Sequence, residues 1–186
     1  MAEADLTVVT GNPNKAKEVA AFFGDQVNVA HVKLDLPEYR DNDVGKIAAL
    51  KAEAAYEAVG RPVIVDDTGF YIAALNGFPG AYAAYVLDTI GMDGILKLMS
   101  GVSDRSAYFE TAIAYKSGDV ERLFRGRVDG LITESARGDG GFGYDPIFEV
   151  EGRTFAEILI EEKSKISHRG LALLAFSDWF RYEHGF

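Results

Sequence analysis

Pro62-Val63-Ile64-Val65-Asp66-Asp67-Thr68-Gly69 combines an apolar strand with a group of polar side chains. The proline suits a strand start, and the three β-branched residues predict a buried strand of parallel type. In open α/β sheets, ligands bind beyond the carboxyl ends of the strands. Adjacent carboxylates are unfavourable without a cation or proton between them, and Mg²⁺ is usually held by one or two carboxylates plus substrate phosphates. The stretch therefore predicts a metal-dependent phosphate site at the strand end, with an ordinary polar turn as the alternative.

Helices and strands alternate in the sequence before this stretch. Asn12 and Asp43 are suited to cap helices, and Gly24 and Gly60 to end them. The pattern predicts, in order, a strand at 6–10, a helix from Pro13 to Gly24, a strand at 27–34 and a helix from 43 to 60 with Ile47, Leu50, Ala54 and Ala58 at helical spacing. This β-α-β-α-β order implies an α/β sheet with some parallel strands.

The second half of the chain has a different pattern. Alternating residues at 107–115 and 120–128 flank the turn 117–119 and predict a β-hairpin, and 131–133 is expected to form one more strand. Ser167 is suited to cap a last helix that runs to about Tyr182 and buries Leu171, Leu174 and Phe176.

Composition excludes several classes of protein. The 186 residues fit one domain, 1–186, and 29 acidic against 19 basic residues give a net charge of −10. This charge argues against general binding to nucleic acid or to an anionic membrane. The absence of cysteine excludes disulfides and thiolate sites. Met1–Asp5 show no signal peptide and no apolar run reaches the length of a membrane span, so we expect a cytoplasmic protein.

The junction between the first strand and the first helix is a candidate anion site. Thr10-Gly11-Asn12-Pro13-Asn14-Lys15 places free N–H groups, the positive end of a helix dipole and a lysine together. The spacing is not that of a P-loop. A well-capped helix with an exposed lysine is the alternative.

Residues 137–146 form a glycine-rich stretch that carries two aromatic residues and an acid. Gly138, Gly140 and Gly143 match a dinucleotide-binding pattern, but Pro146 and an apolar pair follow where that pattern requires a helix. A loop of this kind, Phe142-Gly143-Tyr144-Asp145, suits stacking on a planar ring. Core aromatic residues in a tight loop are the alternative.

Basic residues lie where a helix dipole disfavours them. His168 and Arg169 follow Ser167 in the first turn of the last helix. Cations there oppose the dipole, which points to an anion or an acceptor-rich ligand nearby. A solvated first turn is the alternative. Lys51 is expected on the polar, solvated face of the second helix, and Glu38 is compatible with an ordinary surface acid in a loop.

In order, these motifs resemble the inosine triphosphate pyrophosphatase family, the RdgB-like non-canonical purine NTP pyrophosphatases. The resemblance rests on Thr10-Gly11-Asn12-x-x-Lys15, Leu36-Pro37-Glu38, Asp66-Asp67-Thr68-Gly69, Gly77-Phe78-Pro79-Gly80, Phe142-Gly143-Tyr144-Asp145-Pro146, and Glu162-Lys163 with Ser167-His168-Arg169. It implies an α/β fold of the ITPase-like or anticodon-nuclease-like type, an elongated mixed β-sheet flanked by helices with two lobes around a central cleft. It also implies homodimers, Mg²⁺ dependence and hydrolysis of ITP, dITP and XTP to the monophosphate and pyrophosphate.

The resemblance also implies roles for individual residues. Residues 10–15 would hold the triphosphate, Glu38 and Asp67 would bind Mg²⁺, and Asp67 would be the general base, with Asp66 supporting the metal site. Thr68 would bind phosphate or orient the water. The purine would stack on Phe142 in a pocket shaped by Gly143, Tyr144 and Asp145, with hydrogen-bond donors from Lys163, His168 and Arg169. Alternation along a strand places Asp66 and Asp67 on opposite faces.

Two other functions remain as alternatives, and a third is excluded by the spacing of the aspartates. A Maf-like relative would prefer pyrimidine nucleotides, and a nucleotide-binding protein would not hydrolyse them. A phospho-aspartate phosphatase requires two aspartates with one residue between them, whereas Asp66 and Asp67 are adjacent. Ser164, Thr68, Ala83 and Ala84 depart from the family pattern, which affects the expected substrate preference more than the reaction class.

Overall fold

The computed structural model describes residues 6–184 as a mixed α/β structure, so the prediction made for Met1–Asp5 lies outside the described residues. The strands are β1 (Leu6–Val9), β2 (Val29–Val32), β3 (Val63–Ile72), β4 (Pro79–Gly80), β5 (Ser106–Ser117), β6 (Val120–Ile132), β7 (Phe148–Val150) and β8 (Arg153–Thr154). The helices are α1 (Pro13–Phe23), α2 (Val44–Val59), α3 (Ala83–Thr89), α4 (Gly91–Leu98), α5 (Ile160–Ile166) and α6 (His168–His184). Within residues 6–184, no helix has the length and apolar character needed to cross a membrane.

The described strands form one mixed sheet in the order β2-β1-β3-β5-β6-β7-β8, with β4 paired to β3. β1 is parallel to both β2 and β3, which confirms the predicted β-α-β-α-β unit. The other pairs are antiparallel, and the predicted hairpin is formed by β5 and β6. The prediction of an α/β fold with a mixed sheet is therefore confirmed, while its two-lobe arrangement and single domain stay predictions.

The expectation that the strand beginning near Pro62 ends at Asp66 and Asp67 is wrong. β3 continues through Asp66 and Asp67 to Ile72 and pairs with β5 along its whole length. Parallel pairing with β1 stops at Ile64, so the two aspartates lie just past the parallel part of the strand. The reason is the buried pair Phe70 and Ile72, which extends the apolar alternation beyond the acids.

Three other expectations need correction. Residues 131–133 form no separate strand, because β6 runs without a break to Ile132. In α2, Leu50 and Ala58 are exposed, because the buried stripe runs through Ala48, Ala52 and Ala55. In α6, Leu171 and Leu174 are exposed, whereas Ala172, Leu173 and Phe176 are buried.

Close contact between α6 and β6 accounts for the face that α6 buries. Gly126 lies under the first turn of α6, and a Cβ atom there would stand 2.1 Å from the His168 carbonyl oxygen and 2.5 Å from the Ala172 nitrogen. A residue with a side chain would push the helix away. The glycine thus brings the start of α6 directly against the sheet, beside the polar residues of β3.

β3 contributes to all three hydrophobic clusters found among the described residues. Ile64 packs with α1 and α6, Val65 packs under α2, and Phe70 belongs to an aromatic cluster with Phe109 and Phe148. Burying a large apolar side chain contributes about 1.5–3 kcal/mol, so the strand is held firmly at both ends. Its polar middle lies between these clusters.

Candidate functional site

A cleft of about 390 Å³ collects most of the predicted site residues. Its lining includes Thr10, Gly11, Asn12, Lys15, Glu38, Asp66, Asp67, Thr68, Phe142, Gly143, Tyr144, Asp145, Lys163, His168 and Arg169. Pro13 begins α1 beside it, and Asn14 lines a neighbouring cavity that shares Phe142 and Lys163. Motifs spread from residue 10 to residue 169 therefore meet in one place.

The 10–15 loop is fixed by its own side chains. Thr10 Oγ1 accepts a hydrogen bond from Asn12 N at 3.1 Å, and Asn12 Oδ1 accepts one from Asn14 N at 2.9 Å. The predicted N-cap is therefore confirmed. Two N–H groups are used within the loop and Pro13 has none, so Gly11 and Lys15 carry the N–H groups left in this stretch for an anion.

Asp66 is a buried carboxylate between two cations. Its Oδ2 atom lies 3.0 Å from Lys15 Nζ and 3.1 Å from Arg169 Nη2. Although burial raises it, the charges of Lys15 and Arg169 hold the pKa of Asp66 well below its usual range. Asp66 is therefore ionised, and it orients both cations at the cleft floor.

Asp67 faces the opposite side of β3, as alternation predicts. Its Oδ1 atom lies 3.1 Å from Lys51 Nζ, which is 3.9 Å from Glu38 Oε2. Burial raises the pKa of Asp67 against the opposing charges of Lys15 and Lys51. A carboxylate with a raised pKa, open to a cleft, is a better proton acceptor than an ordinary surface aspartate.

The prediction that Lys51 lies on the solvated face of the second helix is wrong. It follows Ile47 by four residues and precedes Ala55 by four, so it lies on the buried stripe of α2. This spacing was the available signal. Its ammonium group bridges Asp67 and Glu38 and lines the cleft.

The opposite end of the cleft is built around Phe142 and Asp145. Asp145 Oδ2 accepts hydrogen bonds from Phe142 N at 2.8 Å and from Lys163 Nζ at 2.6 Å. Burial raises the pKa of Asp145 against the charge of Lys163. Lys163 Nζ also lies 4.7 Å from the Phe142 ring centroid. Gly141 has φ of +66°, and a Cβ atom there would stand 2.1 Å from the Asp145 carboxylate, so the turn requires glycine.

Glu18 joins the two ends of the site, and sequence reasoning missed it. Its two carboxylate oxygens accept from Lys163 Nζ and Arg169 Nη1, and its side chain is 3% exposed. In α1 it stands one turn after Lys15 and lines the neighbouring cavity that shares Phe142 and Lys163 with the cleft. An acid at that spacing from a candidate phosphate-binding lysine was the available signal.

The first turn of α6 is buried, which excludes the solvated alternative. Ser167 caps the helix, since Gly170 N donates to its Oγ at 3.1 Å. His168 stacks on Phe109 with ring centroids 4.6 Å apart. Burial, together with the charges of Arg169 and Lys163, lowers the pKa of His168 well below its usual value, so the ring is neutral. The acceptors that contact Arg169 are protein groups, Asp66, Glu18 and Thr68, so the predicted anion or acceptor-rich ligand stays a prediction.

In the glycine-rich loop 137–146, one aromatic residue belongs to the core and the other is available for stacking on a planar ring. Tyr144 is a core residue, because it is buried against Phe70 and its Oη donates to the Ala83 carbonyl at 2.8 Å. Phe142 remains partly exposed and lines the cleft. The ring available for stacking is therefore Phe142.

Comparisons with known proteins identify the family of this chain. The sequence model of the Ham1 family matches residues 6–179. A dITP/XTP pyrophosphatase of Thermococcus kodakarensis is 46% identical over 95% of this chain and 97% of its own. One of Methanopyrus kandleri is 48% identical over 92% and 94%. The solved structure of a HAM1 protein from Coxiella burnetii, 31% identical, superposes with a TM-score of 0.81 over 95% of this chain and 99% of its own. The chain belongs to the Ham1 family.

Proposed function

We propose that this protein is a nucleoside triphosphate pyrophosphohydrolase that converts ITP, dITP and XTP to the monophosphate and pyrophosphate. One observation carries the proposal: a single cleft joins a lysine-bearing loop and two carboxylates at one end to a partly exposed aromatic ring and buried donors at the other. The names of the relatives support the same activity and do not favour the pyrimidine or non-hydrolysing alternatives.

We also propose Mg²⁺ as the cofactor, held by Glu38 and Asp67. Within residues 6–184 no group of three or more acidic or histidine side chains is arranged to hold a metal. Two carboxylates that share Lys51 fit Mg²⁺ when substrate phosphates complete its coordination. Bound there, the ion would neutralise charge on the phosphates.

The proposed reaction is attack of water on the α-phosphorus. Asp67 takes a proton from the water, the new P–O bond forms, and the bond to the bridging oxygen breaks with its electron pair leaving on pyrophosphate. Phosphoryl transfer of this kind depends mostly on positioning and charge stabilisation. Lys15 supplies positive charge to the triphosphate, and Asp66 keeps that lysine and Arg169 in place.

Base selection is assigned to the far end of the cleft. Stacking on Phe142 would contribute about 1–3 kcal/mol for any base. A 6-oxo purine presents an acceptor to Lys163, His168 and Arg169, whereas adenine presents an amino donor. The network through Glu18 and Asp145 fixes these donors in orientation. Mispaired buried polar groups discriminate strongly between substrates.

The test of this function is the product released. We expect pyrophosphate from ITP and XTP in the presence of Mg²⁺, little from ATP, and none in EDTA. Orthophosphate as the sole product would contradict cleavage at the α-phosphate, and equal rates with ATP would contradict the 6-oxo pocket.

Arg169→Ala is expected to narrow the ratio of kcat/KM for ITP over ATP by about tenfold, because a buried donor is lost from the base end. Measuring both substrates on the same preparation cancels any loss of folded protein. Arg153→Ala removes an arginine from an exposed pair with Glu162 and serves as the matched control. An unchanged ratio in Arg169→Ala would place selectivity elsewhere.

We further propose a cytoplasmic homodimer. Exposed apolar side chains of the segment around α3 and α4 support an association surface, namely Phe78, Tyr82, Tyr85, Ile90 and Leu98. Exposed apolar residues in a continuous segment are typical of protein interfaces.

A further inference from the structure

Thr111 forms a buried hydroxyl pair with Thr68 in the middle of the sheet. The two residues are direct neighbours across β3 and β5, and their Oγ1 atoms are 2.7 Å apart. Thr68 lines the cleft, whereas Thr111 has no exposed surface. A second hydroxyl therefore stands behind the one that faces the substrate.

Contact with Arg169 restricts the hydrogen bonds that Thr68 Oγ1 can form with Thr111. Its Nη2 atom lies 3.1 Å from Thr68 Oγ1, and a guanidinium group only donates hydrogen bonds. Thr68 Oγ1 therefore accepts from Arg169 with one of its two lone pairs. Its second lone pair and its proton remain, and one of these is used by Thr111.

The burial of Thr111 decides between the two arrangements. If Thr68 donated to Thr111, the Thr111 proton would need another acceptor. Within residues 6–184, Thr111 Oγ1 has one hydrogen-bond partner, which is Thr68 Oγ1. A buried donor left without an acceptor is destabilising. Thr111 is therefore the donor of the pair.

We propose that Thr111 is a positioning residue for the substrate triphosphate. By donating to Thr68 it fills the second lone pair of Oγ1, so that the Thr68 proton is directed into the cleft. A hydroxyl in this state donates to a phosphate oxygen and cannot accept from a water molecule. Of the two roles predicted for Thr68, the geometry points to phosphate binding. This inference rests on the proposed function.

The test compares Thr111→Val, which keeps the shape but loses the hydroxyl, with Thr111→Ser, which keeps the hydroxyl. We expect Thr111→Val to raise KM for ITP about tenfold, equivalent to ~1.4 kcal/mol, with kcat nearly unchanged, because a phosphate contact is made in the ground state and the transition state alike. Thr111→Ser should restore KM. Thr7→Val, a buried threonine of β1 outside the cleft, reports the general effect of the substitution.

A double-mutant cycle separates positioning from packing. Thr111 acts through Thr68, so Thr68→Val combined with Thr111→Val should be no worse than Thr68→Val alone. Additive losses, an unchanged KM in Thr111→Val, or a fall in kcat at constant KM would each overturn the inference. If Thr111→Val does not fold, Thr111→Ala replaces it in the same cycle.

Measuring ITP binding in EDTA distinguishes a failure of this inference from a failure of the proposed function. If the wild type releases no pyrophosphate from ITP, the proposed function fails. Calorimetric ITP binding then tests Thr111 directly: about tenfold weaker binding in Thr111→Val supports the inference, and equal affinity refutes it. A wild type that neither binds nor cleaves ITP would refute both.

Discussion

Asp67→Asn is expected to lower kcat for ITP by about 1,000-fold or more while ITP binding in EDTA is retained. The substitution removes the proposed general base, which contributes about 10²–10⁴-fold in enzymes of this kind, and one of two proposed metal ligands. The amide has nearly the same shape, so the proposed contacts of the triphosphate with Lys15 and of the base with Phe142 should be kept. Single-turnover pyrophosphate release and calorimetric binding measure the two effects separately.

Although Asp67→Asn is expected to lower activity, it is not expected to lower the thermal stability of the fold. The folded-state pKa of Asp67 is raised by burial. A carboxyl with a raised pKa stabilises the fold below its unfolded pKa of about 3.9, and this contribution is lost as pH rises through the folded pKa. Above its folded-state pKa the ionised Asp67 is therefore destabilising, and Asp67→Asn should have a Tm no lower than that of the wild type.

Asp119→Asn, in the exposed hairpin turn, is the matched control for Asp67→Asn. It should leave both activity and Tm unchanged. Substantial turnover in Asp67→Asn would remove Asp67 as the base, and a clearly lower Tm would contradict the electrostatic account of its burial.

Glu18→Gln is expected to lower the free energy of unfolding by about 3 kcal/mol. Removing one member of a buried ion pair typically costs 3–5 kcal/mol, because the partner charge stays buried without compensation. Here two cations, Lys163 and Arg169, lose a shared carboxylate. Asp145 and Asp66 still contact them, which places the expected loss at the lower end. Urea unfolding followed by circular dichroism measures it.

The matched control for Glu18→Gln is Glu162→Gln. Glu162 lies 2.5 Å from Arg153 in a pair exposed to solvent, and such pairs contribute little to stability. Equal losses in the two variants would mean that the buried network contributes no more than a surface pair. A loss confined to Glu18→Gln would establish that burial determines the strength of the network.

Local signals predicted the parts of the fold that depend on neighbours in sequence. Asn12, Asp43 and Ser167 cap their helices as predicted, because capping requires only a short side chain and the next two or three N–H groups. The parallel β1–β3 unit follows from strand and helix alternation. The predicted end of β3 is wrong, because the two acids interrupt the apolar alternation that Phe70 and Ile72 continue and because pairing with the distant strand β5 holds the whole strand in place.

The site shows the same division. Motif order identified the residues that line the cleft, but not the carboxylates and cations that balance one another inside it. Lys51 and Glu18 look like surface residues in sequence, since a helix carries many such charges. The burial of Lys51 depends on which face of α2 packs on the sheet, and that of Glu18 depends on how α1 packs against α5 and α6, so both are tertiary properties.

The network around Glu18 draws its charges from segments far apart along the chain. Glu18 and Asp66 are made early, whereas the cation that joins them, Arg169, lies in α6 near the end. During synthesis, a ribosome that has not yet released residue 169 exposes a chain whose acids have no arginine partner. A chain interrupted before α6 lacks Arg169, so that among the described residues Asp66 keeps only Lys15, and Glu18 only Lys163, as a charged partner.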